Sequence, residues 1–266
     1  MVGARARVLW LDHPAAAMKS MPIRLRVVTY NVHKCRGMDG MTSPQRIGRI
    51  LRTLDADVIG LQEVLDVRDG LSELDQVRYL ANSFDGYSWC VGENRILHGG
   101  AYGNMTLSRL PIKAFHNYDL THNHREPRGC LRTELSVKDK TTLQAFNLHL
   151  GTGFIERRHQ VRYLLGHLER EAVTGPRILF GDFNEWTRGL TTRTLTRKFD
   201  TFGPKIMLNQ RRTYPGTFPI LHLDHFYFDS TLQLDHMHLV RSTESLVASD
   251  HLPLVADFSF VPALIE

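Results

Sequence analysis

Carboxylates, amides and an imidazole recur along this chain at the tips of apolar runs: Thr29-Tyr30-Asn31, Leu61-Gln62-Glu63, Gly181-Asp182-Phe183-Asn184 and Ser249-Asp250-His251. Together these residue types form the kit for metal-assisted attack of water on a phosphate ester. A hard cation such as Mg²⁺ or Mn²⁺ takes one or two carboxylate oxygens and keeps several waters, so Glu63 beside Asn31 is sufficient protein ligation. In Gly-Asp-Phe-Asn, strand alternation sends Asp182 and Asn184 to one face and Phe183 to the other. There the aspartate can orient the attacking water or take its proton, and the amide can donate to a phosphoryl oxygen. The plainer reading of the same pair is an Asx-turn closing a strand. His251 needs an orienting carboxylate if it is to hold one tautomer or stay protonated against a phosphate. His149, which ends the apolar run Asn147-Leu148-His149, reads equally well as a core histidine.

These groups are far apart in sequence, so the fold must gather them. Each motif follows a stretch of β character, at residues 25–29, 57–61, 177–180 and 245–248, and a single sheet edge can bring such ends together. Ser43-Pro44 reads as an N-cap with proline at the first helical position, and Ile47, Ile50, Leu51 and Leu54 continue on one helical face. A second amphipathic helix is expected over 156–173, with Val161, Leu164, Leu165 and Leu168 as its stripe. Further strands are expected at 87–91, 103–108, 131–137, 142–148, 223–228 and 252–258. Lys138-Asp139-Lys140-Thr141 joins two of them as an antiparallel hairpin. Strand-helix-strand units beside hairpins predict mixed sheets in an α/β arrangement.

All four motifs, in this order, resemble the endonuclease/exonuclease/phosphatase superfamily, whose members are divalent-metal phosphodiesterases and phosphomonoesterases; the resemblance spans roughly residues 24 to 260. It implies an α/β fold of two mixed β-sheets packed as a sandwich with flanking helices, the site lying at one end. It also implies Mg²⁺ or Mn²⁺ held mainly by Glu63 with Asn31 beside it, Asp224 as the partner of His251, and Asp250 near the metal. By the same resemblance His149 contacts phosphate, Asp182, Asn184 and His251 are catalytic, and Asn104 of Gly103-Asn104 supports the site from the substrate side. Arg128 is a candidate phosphate clamp, because a guanidinium can bind phosphate in bidentate fashion. Two departures stand out. Nuclease branches often carry Asp two residues after the first-strand asparagine, where this chain has His33. The histidines at 222, 225, 236 and 238 lack zinc-site spacing and are expected as dispersed surface residues.

The expected function is hydrolysis of phosphate esters, foremost by a phosphodiesterase or nuclease. A phospholipid or inositol-phosphate hydrolase on the same core is the alternative, and a catalytically inactive binding module is a weaker one. Lys+Arg of 33 against Asp+Glu of 28 gives a mild positive excess that suits an anionic substrate, nucleic acid included. Cys35, Cys90 and Cys130 are odd in number and form no C-x-x-C pair, which predicts a reducing, cytoplasmic setting. No run approaches the ~18 apolar residues of an integral membrane span. Residues 1–21 are broken by Asp12, His13 and Pro14 and are expected as a poorly ordered extension, with residues 22–266 forming one domain.

Overall fold

The computed structural model describes residues 22–67, 75–137, 141–202 and 212–260; the expected extension 1–21 and the hairpin connection at 138–140 lie outside them. Numbered in chain order, the strands build two six-stranded mixed sheets packed as a sandwich. In the first, the spatial order is β11 (Gln233–Leu239), β12 (Leu254–Phe260), β1 (Ile23–Asn31), β2 (Val58–Asp66), β4 (Gly100–Ser108) and β3 (Ser88–Leu97). In the second it is β5 (Ile112–Asp119), β6 (Gly129–Ser136), β7 (Thr142–His149), β8 (Arg177–Asp182), β10 (Asp224–Phe228) and β9 (Asp200–Thr201).

Each sheet has one parallel pair at its centre, β1 with β2 and β7 with β8. A parallel pair needs a crossover. Helix α1 (Pro44–Arg52) supplies the first, and α3 (Phe154–Arg170) the second. Ser43 caps α1 by accepting from the Arg46 amide at 3.2 Å, with Pro44 at the first turn as its sequence predicts. The Glu156 carboxylate accepts from the Gly153 amide, which starts α3 two residues earlier than the apolar stripe alone suggests.

The central strands are buried on both faces, so their sequences are nearly continuous apolar runs. Between the sheets lie Val27, Val58, Ala145, Phe180, Phe226 and Phe258. Outside the first sheet, Tyr30, Ile59 and Leu61 meet Ile47, Ile50 and Leu51 of α1 and Val77 and Leu80 of α2 (Gln76–Asn82). Outside the second, Phe146, Leu148 and Leu179 meet Val161, Leu164 and Leu168 of α3 and Leu195 of α4 (Leu190–Leu195). Each such side chain contributes about 1.5–3 kcal/mol on burial, and these three apolar layers hold the strand ends in register.

Several features depart from expectation: β9, β11, α2 and α4 were not expected, and two further departures have an evident physical reason. Residues 245–248 form a one-turn helix, α5 (Ser245–Ala248), instead of a strand. Ser242 and Ser245 exchange side chain-to-backbone bonds at 2.7 and 3.0 Å and close the turn locally, a competition that serine often wins over a short β-prone run. Strand β5 was not expected because its residues are mostly exposed and leave no apolar alternation to read.

Candidate active site

The C-terminal ends of β1, β2, β7 and β8 and the start of β10 converge at one end of the sandwich. Register puts His149 opposite Asp182, and Asp182 opposite Asp224. Asn31 bridges the two sheets: its Nδ2 donates to Glu63 Oε1 at 3.2 Å and to Asp182 Oδ2 at 3.0 Å, while its Oδ1 accepts from the His33 amide. On the loop before β12, Ser249 Oγ donates to the Asn31 carbonyl and accepts from the His251 amide, tying that loop to the end of β1. The His251 Nδ1 lies 2.8 Å from Asp224 Oδ2, and its Nε2 lies 3.6 Å from Asp182 Oδ2. The His149 Nε2 stands at 3.6 Å from the same Asp182 oxygen and 3.9 Å from Glu63 Oε1.

Backbone strain aims several of these groups. Glu63 has φ 61° at a bulge where β2 slips against β4, and Asn184 has φ 50°. Non-glycine residues in this region cost on the order of 1–3 kcal/mol each and persist where the surroundings over-determine them. Gly181, at φ 142°, precedes Asp182, and a Cβ there would meet the Leu148 carbonyl oxygen at 1.9 Å. Only glycine allows β8 to approach β7 this closely, which brings Asp182 beside His149.

The electrostatics sort the titratable groups. Burial opposes a charge on His251, but Asp224 and Asp182 outweigh it and the imidazole is pushed up to about 10. His149 is pushed down to about 4, first by burial and then by the Arg128 guanidinium. Arg128 Nη1 is 3.2 Å from His149 Nδ1, and a guanidinium can only donate, so Nδ1 accepts and the ring proton sits on Nε2, facing Asp182 and Glu63. Burial raises the Asp182 carboxyl, against the pull of His251. Glu63 is desolvated too, yet His149 and Lys34 hold it well below the usual carboxylate range.

A model described as the Endonuclease/Exonuclease/phosphatase family matches residues 28–251. The chain belongs to this family. It is 27% identical to the uncharacterized protein YbhP of Escherichia coli K12 over 249 residues, covering 87% of this chain and 95% of that one. Its fold is similar to that of an endonuclease/exonuclease/phosphatase from Beutenbergia cavernae (TM-score 0.72, 21% identity, 91% of this chain and 73% of that one). It is also similar to the mannosyl-6-phosphatase Bt3783 of Bacteroides thetaiotaomicron (TM-score 0.68, 18% identity, 89% and 100%).

Against this family frame, the expected residues fall into two groups. Asn31, Glu63, His149, Asp182, Asp224 and His251 share one continuous set of contacts. Asn184 and Arg128 touch that set from its edge, through Asp182 and His149, Asp250 flanks it next to His251, and Asn104 bonds elsewhere. Strand β8 ends at Asp182, so the pleat does not carry Asn184; its amide N–H donates to Asp182 Oδ1 at 2.9 Å, an Asx-turn, and its Nδ2 donates to the Leu150 carbonyl. Asn104 is fully buried and donates to the carbonyls of Gly129 and Asn147, strapping β4 to β6 and β7. Arg128 Nη1 faces His149 Nδ1 and its Nη2 donates to Glu126. Asp250 pairs with His33 Nδ1 at 3.7 Å. Among the dispersed histidines, His225 is buried and its ring lies 4.0 Å from that of His222, which corrects the expectation of surface placement.

Sequence reasoning missed Lys34, whose Nζ is 2.9 Å from Glu63 Oε2 and 5.8 Å from the centre of the Tyr102 ring. It also missed Tyr214, with its ring 5.1 Å from that of His251. Thr213 Oγ1 accepts from the Asp224 amide and the Thr213 carbonyl from the Leu252 amide, so the loop beginning there braces both members of the Asp224–His251 pair. For a divalent metal, the donor set is oxygen-only and centred on one ionised carboxylate. Among the described residues no group of three or more His, Cys, Asp or Glu is arranged to hold a metal ion. Such a site fits a hard cation that keeps most of its waters.

Proposed function

We propose that this chain is a divalent-metal-dependent phosphoesterase, foremost a phosphodiesterase or nuclease, that cleaves the P–O bond by in-line attack of water. The observation that carries this reading is one buried carboxylate, Asp182, whose Oδ2 lies 3.6 Å from the Nε2 of both His149 and His251. Mg²⁺ or Mn²⁺ held by Glu63, next to Asn31, would supply Lewis-acid polarisation of a phosphoryl oxygen. Asp182 is the group for the nucleophile: a carboxylate made more basic by burial is suited to orient water and take its proton. His251, charged through its bond to Asp224, stabilises charge developing on the phosphoryl oxygens, and His149 adds a neutral Nε2–H donor. Asp250, next to His251 in sequence and beside His33, would be available to a second ion or an ordered water.

Hydrolysis of a lipid or inositol phosphate uses the same core, and the surrounding loops choose between the two. The neighbour Bt3783 is described as a mannosyl-6-phosphatase, so monoesters belong in the test. Purified protein should hydrolyse bis-p-nitrophenyl phosphate in preference to p-nitrophenyl phosphate. Abasic DNA, single-stranded RNA and inositol phosphates extend the series. EDTA should abolish turnover, and added Mg²⁺ or Mn²⁺ should restore it. Turnover that persists in chelator would sink the metal-dependent reading; a monoester preference would move the enzyme to the alternative substrate class.

A further inference from the structure

Among the described residues Lys34 is the one ammonium drawn into the site, and its placement is built rather than incidental. His33, Lys34 and Cys35 form a tight turn with φ of 46°, 57° and 53°, three consecutive non-glycine residues in the left-handed region. The turn is pinned on every side. The His33 amide donates to Asn31 Oδ1, Gln76 Nε2 donates to the Lys34 carbonyl at 2.6 Å, the Ser43 amide donates to the Cys35 carbonyl, and Cys35 is fully buried. Glu63, which receives the ammonium, is itself left-handed. Strain held on both sides of one ion pair points from geometry to function.

The pair also forms the open side of the site. The side chains of Lys34 and Glu63 keep 30% and 17% exposure, whereas Asp182, His149 and His251 keep no more than 5%. Lys34 therefore borders the opening through which a metal and its phosphate ester would reach Glu63, beside the similarly exposed His33 and Asp250. A divalent cation bound directly to a carboxylate sits about 2.0–2.1 Å from its oxygen, and an ammonium at hydrogen-bond distance on the same carboxylate, as Lys34 is, would repel it. The ammonium has to yield, and its flexible four-carbon stem lets it do so without moving the turn.

We propose that Lys34 is an exchangeable counter-ion: it holds Glu63 until a divalent cation takes that carboxylate, and then binds the phosphate that arrives with the metal. The inference rests on the metal-dependent reading above. It assigns Lys34 two opposed effects. It competes with the metal and assists the phosphate, whereas a residue needed only for structure would affect both in one direction.

The test uses the full chain, with Mn²⁺ binding followed by electron paramagnetic resonance and inorganic phosphate binding to the Mn²⁺-loaded protein by calorimetry. Lys34→Met should bind Mn²⁺ about 3–10-fold tighter, the scale of one partly exposed charge-assisted bond, and phosphate about 10-fold more weakly. Lys34→Arg should stay near the native protein in both. Far-UV circular dichroism checks the fold, and Lys34→Gln gives the same comparison if the Met variant is poorly folded. Unchanged Mn²⁺ affinity, or loss of both affinities together, would overturn the counter-ion. If the native protein binds no Mn²⁺, the metal-dependent reading falls with it; if it binds Mn²⁺ and the variants match it, only the role of Lys34 falls.

Discussion

His149 and His251 come from different strand ends, are both buried, and stand at the same 3.6 Å from Asp182 Oδ2, yet their environments drive them apart. Behind His251 stands a carboxylate, Asp224, at 2.8 Å; behind His149 stands a guanidinium, Arg128, at 3.2 Å. Burial disfavours the charged ring in both cases. Asp224 and Asp182 reverse that for His251 and push it up to about 10, while Arg128 reinforces it for His149, pushed down to about 4. One side-chain type thus supplies both a cation and a neutral donor around a single acceptor. The residue behind the ring, rather than the ring, decides the role, and this separation of paired groups marks acid–base sites in general.

The sharpest way to break the contrast is to remove the carboxylate behind His251. Asp224→Asn and His251→Ala should each lower kcat by about 10³–10⁴-fold, the scale seen when an aspartate orienting a catalytic histidine is replaced. The double variant should lose little more, because groups acting as a unit are non-additive. Multiplicative losses in single-turnover rates would separate the pair. Next in size is the acceptor both rings face: Asp182→Asn should cost about 10²-fold or more in kcat while leaving substrate binding nearly intact. A loss confined to KM would remove Asp182 from the chemistry.

The Arg128 half of the comparison carries smaller effects. His149→Gln keeps a donor but misplaces it and should cost about 10²-fold. Arg128→Met frees Nδ1, so the ring is no longer fixed with its proton on Nε2, and kcat should fall about 10-fold, the smaller effect of losing an orienting hydrogen bond. In the His149→Gln background the Arg128 substitution should do nothing further. An undiminished 10-fold loss there would mean that Arg128 acts on substrate directly, as a clamp.

The two halves of this contrast were unequally legible in the sequence. Asp182 and His251 lie in compact motifs at the ends of apolar runs, so their types and spacing announce them. The mixed sheets also followed from strand-helix-strand units such as the strands at 25–29 and 57–61 with the helix between them. Arg128 was visible only as a charge at the start of a strand. Its contact with His149 depends on cross-strand register, in which Gly129 faces His149 across β6 and β7. Lys34 was hidden for another reason: its direction is set by a left-handed turn of three non-glycine residues, which local propensity argues against. Asn184 was misdirected by extending the strand pleat beyond Asp182, where the Asx-turn ends it. Helix α5 stands where a strand was expected because Ser242 and Ser245 close a turn there by side chain-to-backbone bonds.

The last effect is on stability rather than rate, at most about 1.4 kcal/mol for each pH unit and one proton. In the unfolded chain both imidazoles titrate near 6.5. His251 is raised in the folded state to about 10, so its stabilising contribution is complete below pH 6.5 and is lost as pH climbs toward 10. His149 is lowered to about 4, so its contribution is complete above pH 6.5 and is lost as pH falls toward 4. Urea unfolding of the metal-free protein from pH 4.5 to 9.5 reads both. Relative to His251→Asn, the native protein should lose its advantage on the alkaline side; relative to His149→Gln, on the acid side. Arg128→Met should flatten the acid-side slope, because the cation that helps to keep His149 neutral is gone, and leave the alkaline slope unchanged. Slopes of the same sign for both histidine variants would mean that the residues behind the rings do not set their charge.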